Sequence, residues 1–163
     1  MPVREFRDDA LAFCRFVDSW RVNAVPQPFT TLLRLLSALA KSAISIPTML
    51  VEKECAESCR IDHEAWTIIA ADLRDLTESA AARLMQEYEG DLDAQVRASM
   101  LWDDLADIYR DLRDSLDLYT LGGPEQIAEA VWQWRFGYES HWGAHLMRAL
   151  LTVYEIKFRV YVD

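Results

Sequence analysis

Residues 124–153 read PEQIAEAVWQWRFGYESHWGAHLMRALLTV. Ile127, Val131, Trp134, Tyr138, Trp142, His145, Ala149 and Val153 recur at steps of three and four, which is the period of an α-helix with one buried face. A second line, Trp132, Phe136, Gly143 and Leu150, lies beside the first and widens the apolar arc. The stretch therefore reads as one long helix continuing beyond Val153, lodged among other helices or also meeting a second protein chain. Its start is marked by Gly122-Gly123-Pro124, two flexible residues and a proline suited to a first helical turn.

Upstream, Trp102, Leu105, Ile108, Tyr109, Leu112, Leu116 and Tyr119 share a face at about 100° per residue, giving a fourth helix that begins between Asp91 and Ser99. Asp62 fits the N-cap of a third long pattern, Trp66, Ile69, Leu73, Leu76 and Ala80, which ends by Gly90. A first helix spans Arg4 to Val22. A second starts at Pro28, carries Leu32, Leu36, Leu39, Ala43 and Ile46, and is closed by Pro47, with a short helical piece from Thr48 to Ser58 behind it. From Tyr154 to Asp163 apolar and polar residues alternate as in a strand, yet a lone strand has no partner, so a fraying helix is expected. The expectation is an all-α fold: one domain over residues 1–163, an antiparallel bundle of four to six helices joined by short loops.

Composition agrees with this. In 163 residues, 52% hydrophobic and 27% charged, five glycines and five prolines are too few to punctuate a many-stranded β fold. The formal net charge of −10 repels phosphate backbones and anionic headgroups, so neither nucleic acid nor membrane is an expected partner. The greasiest segment, Phe29 to Val51, is interrupted by Arg34, Lys41 and Pro47 and falls short of the roughly 20 apolar residues of a membrane span. The charged amino terminus lacks a signal-peptide pattern, and the three cysteines, Cys14, Cys55 and Cys59, suit reduced thiols; a cytoplasmic location is expected.

Two places could carry chemistry. Asp103-Asp104-Leu105-Ala106-Asp107 has the D-D-x-x-D spacing, with Asp111 and Asp114 following, and such carboxylates can hold Mg²⁺ as the aspartate-rich helices of isoprenoid enzymes do. The helical projection, however, sets Asp107, Asp111 and Asp114 opposite the apolar stripe with only Asp104 near its edge, so a solvated face is expected. Glu139, His141 and His145 form the second place. Two histidines four apart can approach one metal, but the glutamate between them that marks zinc helices is missing. His145 falls in the apolar line, where a core histidine bonded to a neighbour is the expectation. Arg135 and Glu139 lie four apart between the two apolar lines and, if buried, must pair; Arg135 could also bind an anion.

Cys55, Cys59 and His63 recur at four-residue steps, but positions eight apart are about 12 Å apart along a helix axis, so one helix cannot bring all three within bonds of about 2.0–2.3 Å of one metal, and with Asp62 starting a new helix no metal site is expected of them. No Gly-rich phosphate loop, G-x-S-x-G elbow or Cys-His pair occurs, and no cofactor is expected.

Asp103 to Leu112, Trp132-Gln133-Trp134-Arg135-Phe136 and His141-Trp142-Gly143 resemble a bacterial family known as domain of unknown function 5063, over roughly Ser99 to Val153. The resemblance implies a helical cytoplasmic bacterial domain and supplies no site. The expected function is a non-enzymatic module that binds a protein partner, possibly itself, through apolar surface on the wide fifth helix. The alternative is a metal-dependent enzyme or small-anion binder built between the fourth and fifth helices from Asp104, Asp107, Arg135, Glu139, His141 and His145. An adaptor for basic proteins, steered by the acidic field, is a third possibility.

Overall fold

The computed structural model describes residues 2–23, 25–50 and 61–160. Among them the chain is wholly helical: α1 (Pro2–Ser19), α2 (Pro28–Ala43), α3 (His63–Glu87), α4 (Leu92–Ser99), α5 (Leu101–Thr120), α6 (Pro124–Ser140), α7 (Trp142–Glu155) and a closing π-turn (Ile156–Val160). Seven α-helices exceed the expected four to six because two patterns each contain a joint. The fourth divides at Met100 into α4 and α5, and the fifth divides at His141 into α6 and α7.

The boundaries follow local chemistry. The Asp62 carboxylate accepts from the Ala65 N–H at 2.7 Å and starts α3, and Asp91 caps α4 in the same way through Ala94 at 3.1 Å. Pro28 opens α2 and Pro124 opens α6, each where the missing N–H leaves no bond unmade. Gly122, at φ 81°, turns the chain out of α5 through a conformation that side chains resist. The alternating tail is helical as far as Val160; Ile156 is buried and Phe158 exposed, so the alternation records a turn at a surface. Thr48–Leu50 carry no helix, and the rest of the expected piece to Ser58, with Cys55 and Cys59, lies outside the described residues.

Helix α5 packs against α1, α3, α4, α6 and α7. Its Leu101, Leu105, Ile108 and Leu112 are fully buried, among Phe6 and Phe13 of α1, Leu73 and Leu84 of α3, Trp134 of α6 and Leu146 of α7 in one core. Phe6 lies between two tryptophans, 5.2 Å from Trp134 and 5.8 Å from Trp142 by ring centroids. Each such side chain contributes about 1.5–3 kcal/mol by leaving water. The second apolar line of the fifth pattern is buried only in part: Gly143 is buried and Leu150 packs against the core. Phe136 is exposed and stacks on Trp132 on the outside of α6. No helix among the described residues is long and apolar enough to cross a membrane.

Candidate metal centre

With neighbours on so many sides, the acidic side of α5 is covered. Asp104 is 1% exposed, and the side chains of Asp107 and Asp111 are 16% and 26% exposed. The expected solvated face is therefore wrong for Asp107 and Asp111, because α7 lies over them, while Asp104, expected near the edge of the apolar stripe, is buried. Asp114 is also engaged, accepting from the Ile61 N–H at 2.8 Å.

The covering is arranged by the joint at His141. This residue ends α6, donating its backbone N–H to the Gly137 carbonyl at 2.8 Å, and begins α7 with φ −145° and ψ −85°. Two glycines make room. A Cβ on Gly143 would stand 2.1 Å from the Tyr138 carbonyl oxygen, and one on Gly137 would stand 2.7 Å from the Trp142 ring. The same added atom on Gly137 would lie 3.9 Å from an Asp111 oxygen, so the close approach of Trp142 to α6 and the place of His141 belong to one packing arrangement.

Asp104, Asp107 and Asp111 stand one above another on α5, and His141, His145 and Arg148 do so on α7. They meet in reverse chain order. His141 Nδ1 is 2.7 Å from Asp111 Oδ2; His145 Nδ1 is 2.8 Å from Asp104 Oδ1; His145 Nε2 is 3.6 Å from Asp107 Oδ2. Arg148 completes the end of the row, donating through Nη2 and Nε to Asp104 Oδ1 at 2.7 and 3.2 Å.

The tautomers follow from these contacts. A carboxylate oxygen carries only lone pairs, so a ring nitrogen within 2.8 Å of it must hold the hydrogen. Both histidines thus donate from Nδ1, to Asp104 and Asp111, and the 2.9 Å approach of Arg148 Nη2 to His145 Nδ1 brings two donors together on one oxygen. In the neutral ring Nε2 is left with its lone pair. One ligand atom from each of Asp107, His141 and His145 lies within 4.8 Å of the other two.

Four carboxylates, those of Asp103, Asp104, Asp107 and Asp111, gather here against the guanidiniums of Arg110 and Arg148. With neutral imidazoles the cluster holds two uncompensated negative charges. The carboxyl of Asp103 is raised above its ordinary value by burial first, then by Asp107 and Asp104, against Arg110 and the protonated form of His145.

Of the sequence candidates, Asp104, Asp107, His141 and His145 come together. Arg135 and Glu139 do not join them: Arg135 pairs with Glu139 at 2.5 Å and donates to the Ile46 carbonyl at 3.2 Å, tying α6 to the end of α2. The two are paired, but Glu139 is exposed, so the burial that would have required the pairing is not there. Arg148 escaped notice, although it follows His141 and His145 at the next helical step. His63 stands at the exposed start of α3, stacked on Trp66.

The comparisons agree with this architecture. A family model described as Domain of unknown function (DUF5063) matches residues 2–159. The crystal structure of protein BF1032 from Bacteroides fragilis is similar with a TM-score of 0.78 at 20% identity, over 100% of this chain and 96% of that one, a likeness of fold. No curated protein matches the chain.

Proposed function

The chain belongs to the DUF5063 family, and from that footing we propose that it binds a divalent transition-metal ion through Asp107, His141 and His145. The observation that carries this is the backing of both imidazoles: each is held at Nδ1 by its own carboxylate, the arrangement that fixes ring orientation and raises ligand basicity in protein metal sites. Two nitrogens and one carboxylate oxygen suit Zn²⁺, Fe²⁺ or Mn²⁺ better than Ca²⁺ or Mg²⁺, which favour all-oxygen shells. Three protein ligands leave positions free, the pattern of catalytic sites. An ion held there by Asp107, His141 and His145 would supply Lewis-acid chemistry and would lower the pKa of a bound water. Asp104 and Asp111 orient the rings, and Arg148 keeps Asp104 in place.

Thermal unfolding tests the proposal. Zn²⁺ at a hundredfold excess over its dissociation constant should stabilise the protein by about 2.7 kcal/mol, whereas Mg²⁺ should do little. Asp107→Asn and His145→Gln should each remove the zinc effect. An unmoved melting temperature with Zn²⁺, or an undiminished shift in the His141→Gln/His145→Gln double variant, would contradict it.

One further observation supports a protein partner as well. Met147, Leu151, Tyr154 and Phe158 recur at helical steps along α7 and the π-turn, all exposed, with the Tyr154 and Phe158 rings 5.0 Å apart. Light scattering on the eluting protein reads self-association directly, and Leu151→Glu should dissolve a dimer formed through this stripe. A monomer that captures no partner would remove this second reading.

A further inference from the structure

Resting on the metal reading above, we infer that the same centre takes a phosphoryl oxyanion, bound in the ion's free positions and flanked by Arg110 and Arg148. Each guanidinium is already pinned. Arg110 reaches Asp107 Oδ1 with Nη2 at 2.8 Å and Asp111 Oδ1 with Nε at 3.8 Å, while Arg148 reaches Asp104 with Nη2 and Nε. None of these contacts uses Nη1, and the side chains are 37% and 44% exposed. Two forks from different helices therefore stand ready with uncommitted donors. Because their own carboxylates hold them, less rotamer entropy is lost when they engage an anion than for free surface arginines.

Both forks are held along one seam of α5. Asp104 and Asp107, which the forks address, are one turn apart, about 4.5 Å along the helix axis. A phosphoryl group offers three oxygens, enough to meet the ion and both forks, while a planar carboxylate offers two. Charge sets the order of binding. Without metal, the two uncompensated negative charges repel phosphate; a divalent ion cancels them, so the oxyanion enters only after the ion.

Titrating the full chain with Co²⁺ and then with inorganic phosphate separates the two claims, because the cobalt visible spectrum reports each event. The expected result is cobalt binding with or without phosphate, a further spectral change on adding phosphate, and no calorimetric phosphate binding to metal-free protein. Arg110→Gln/Arg148→Gln, read at cobalt concentrations that saturate the variant's own site, should weaken phosphate by about tenfold or more. If that variant fails to fold, Arg110→Gln alone should weaken phosphate by a smaller factor. Phenyl phosphate in a parallel arm distinguishes a phosphomonoester, if it binds more tightly, from free phosphate, if it binds less tightly; either outcome supports the inference. Cobalt binding with a spectrum indifferent to phosphate, unchanged phosphate affinity in the arginine variants, or acetate binding as tightly as phosphate overturns the oxyanion inference and leaves the metal reading intact. Failure of cobalt to bind overturns both.

Discussion

Helix α5 bears two polar seams built from similar residues. Toward α1, the Tyr109 hydroxyl donates to Asp18 at 2.6 Å, and Arg113 meets Asp18 and Asp117, each at 3.3 Å. Burial pushes the Tyr109 phenol well above its usual range, with the Asp18 bond adding to it, and burial does the same to the Cys14 thiol nearby. The Tyr109 hydroxyl and the Nε and Nη1 of Arg113 each face a carboxylate, and with no imidazole in that contact the seam closes without a free nitrogen lone pair. Toward α7 the carboxylates instead face imidazoles whose Nδ1 atoms are taken, leaving the Nε2 atoms over, that of His145 3.6 Å from Asp107 Oδ2. Polar packing becomes a candidate site when lone pairs are left converging after the donors have been used.

The largest expected effect comes from disturbing what holds the second seam together. Gly143→Ala drives a Cβ into the Tyr138 carbonyl at 2.1 Å. It should cost about 3 kcal/mol in urea unfolding and abolish metal stabilisation, because His141 moves with the joint. Asp104→Asn should cost about 2 kcal/mol and lower zinc affinity by about 10–100-fold, since it weakens the hold on both His145 and Arg148. The matching change in the closed seam, Tyr109→Phe, should cost about 1 kcal/mol and leave zinc affinity unchanged. If Tyr109→Phe weakened zinc as much as Asp104→Asn, the distinction between the seams would fail.

The smallest effect is at Asp103. Its carboxyl titrates above its ordinary 3.8 in the folded chain, so ionisation opposes folding: the protein is relatively favoured below the unfolded value, and that advantage is lost as pH rises through the folded one. Asp103→Asn should therefore raise the melting temperature of the metal-free protein slightly at neutral pH, and the gain should vanish as pH falls toward 4. A gain independent of pH would assign the effect to packing instead.

Much of the fold was legible in particular residues. The cap at Asp62, the starts at Pro28 and Pro124 and the stripe from Trp102 to Tyr119 are local signals, and each element appears where its signal stands. The joint at His141 was hidden because the step from Tyr138 to Trp142 keeps the helical phase across it, while Gly137 and Gly143 matter only once Trp142 and Tyr138 are seen in contact with them. The acids of α5 were misplaced for a related reason. A helical projection sorts residues into a greasy face and a remainder and assigns the remainder to water, but a helix with neighbours on several sides has little remainder to give. The partners of Asp104, Asp107 and Asp111 could then be found only from the reversed run of α7 along α5, information that no single helix contains. The resemblance recognised over Ser99 to Val153 covers the helices that form this seam, and the family match extends it to residues 2–159.

The most direct measurement is the ¹⁵N chemical shift of the His141 and His145 ring nitrogens in the labelled protein, followed as Zn²⁺ is added near neutral pH. Both rings should begin with the hydrogen on Nδ1 and a bare Nε2, and one equivalent of zinc should move both Nε2 signals while both Nδ1 atoms stay protonated. Rings carrying hydrogen on both nitrogens throughout, or Nε2 signals that ignore the metal, would contradict the metal centre and leave the seam as a network of ion pairs.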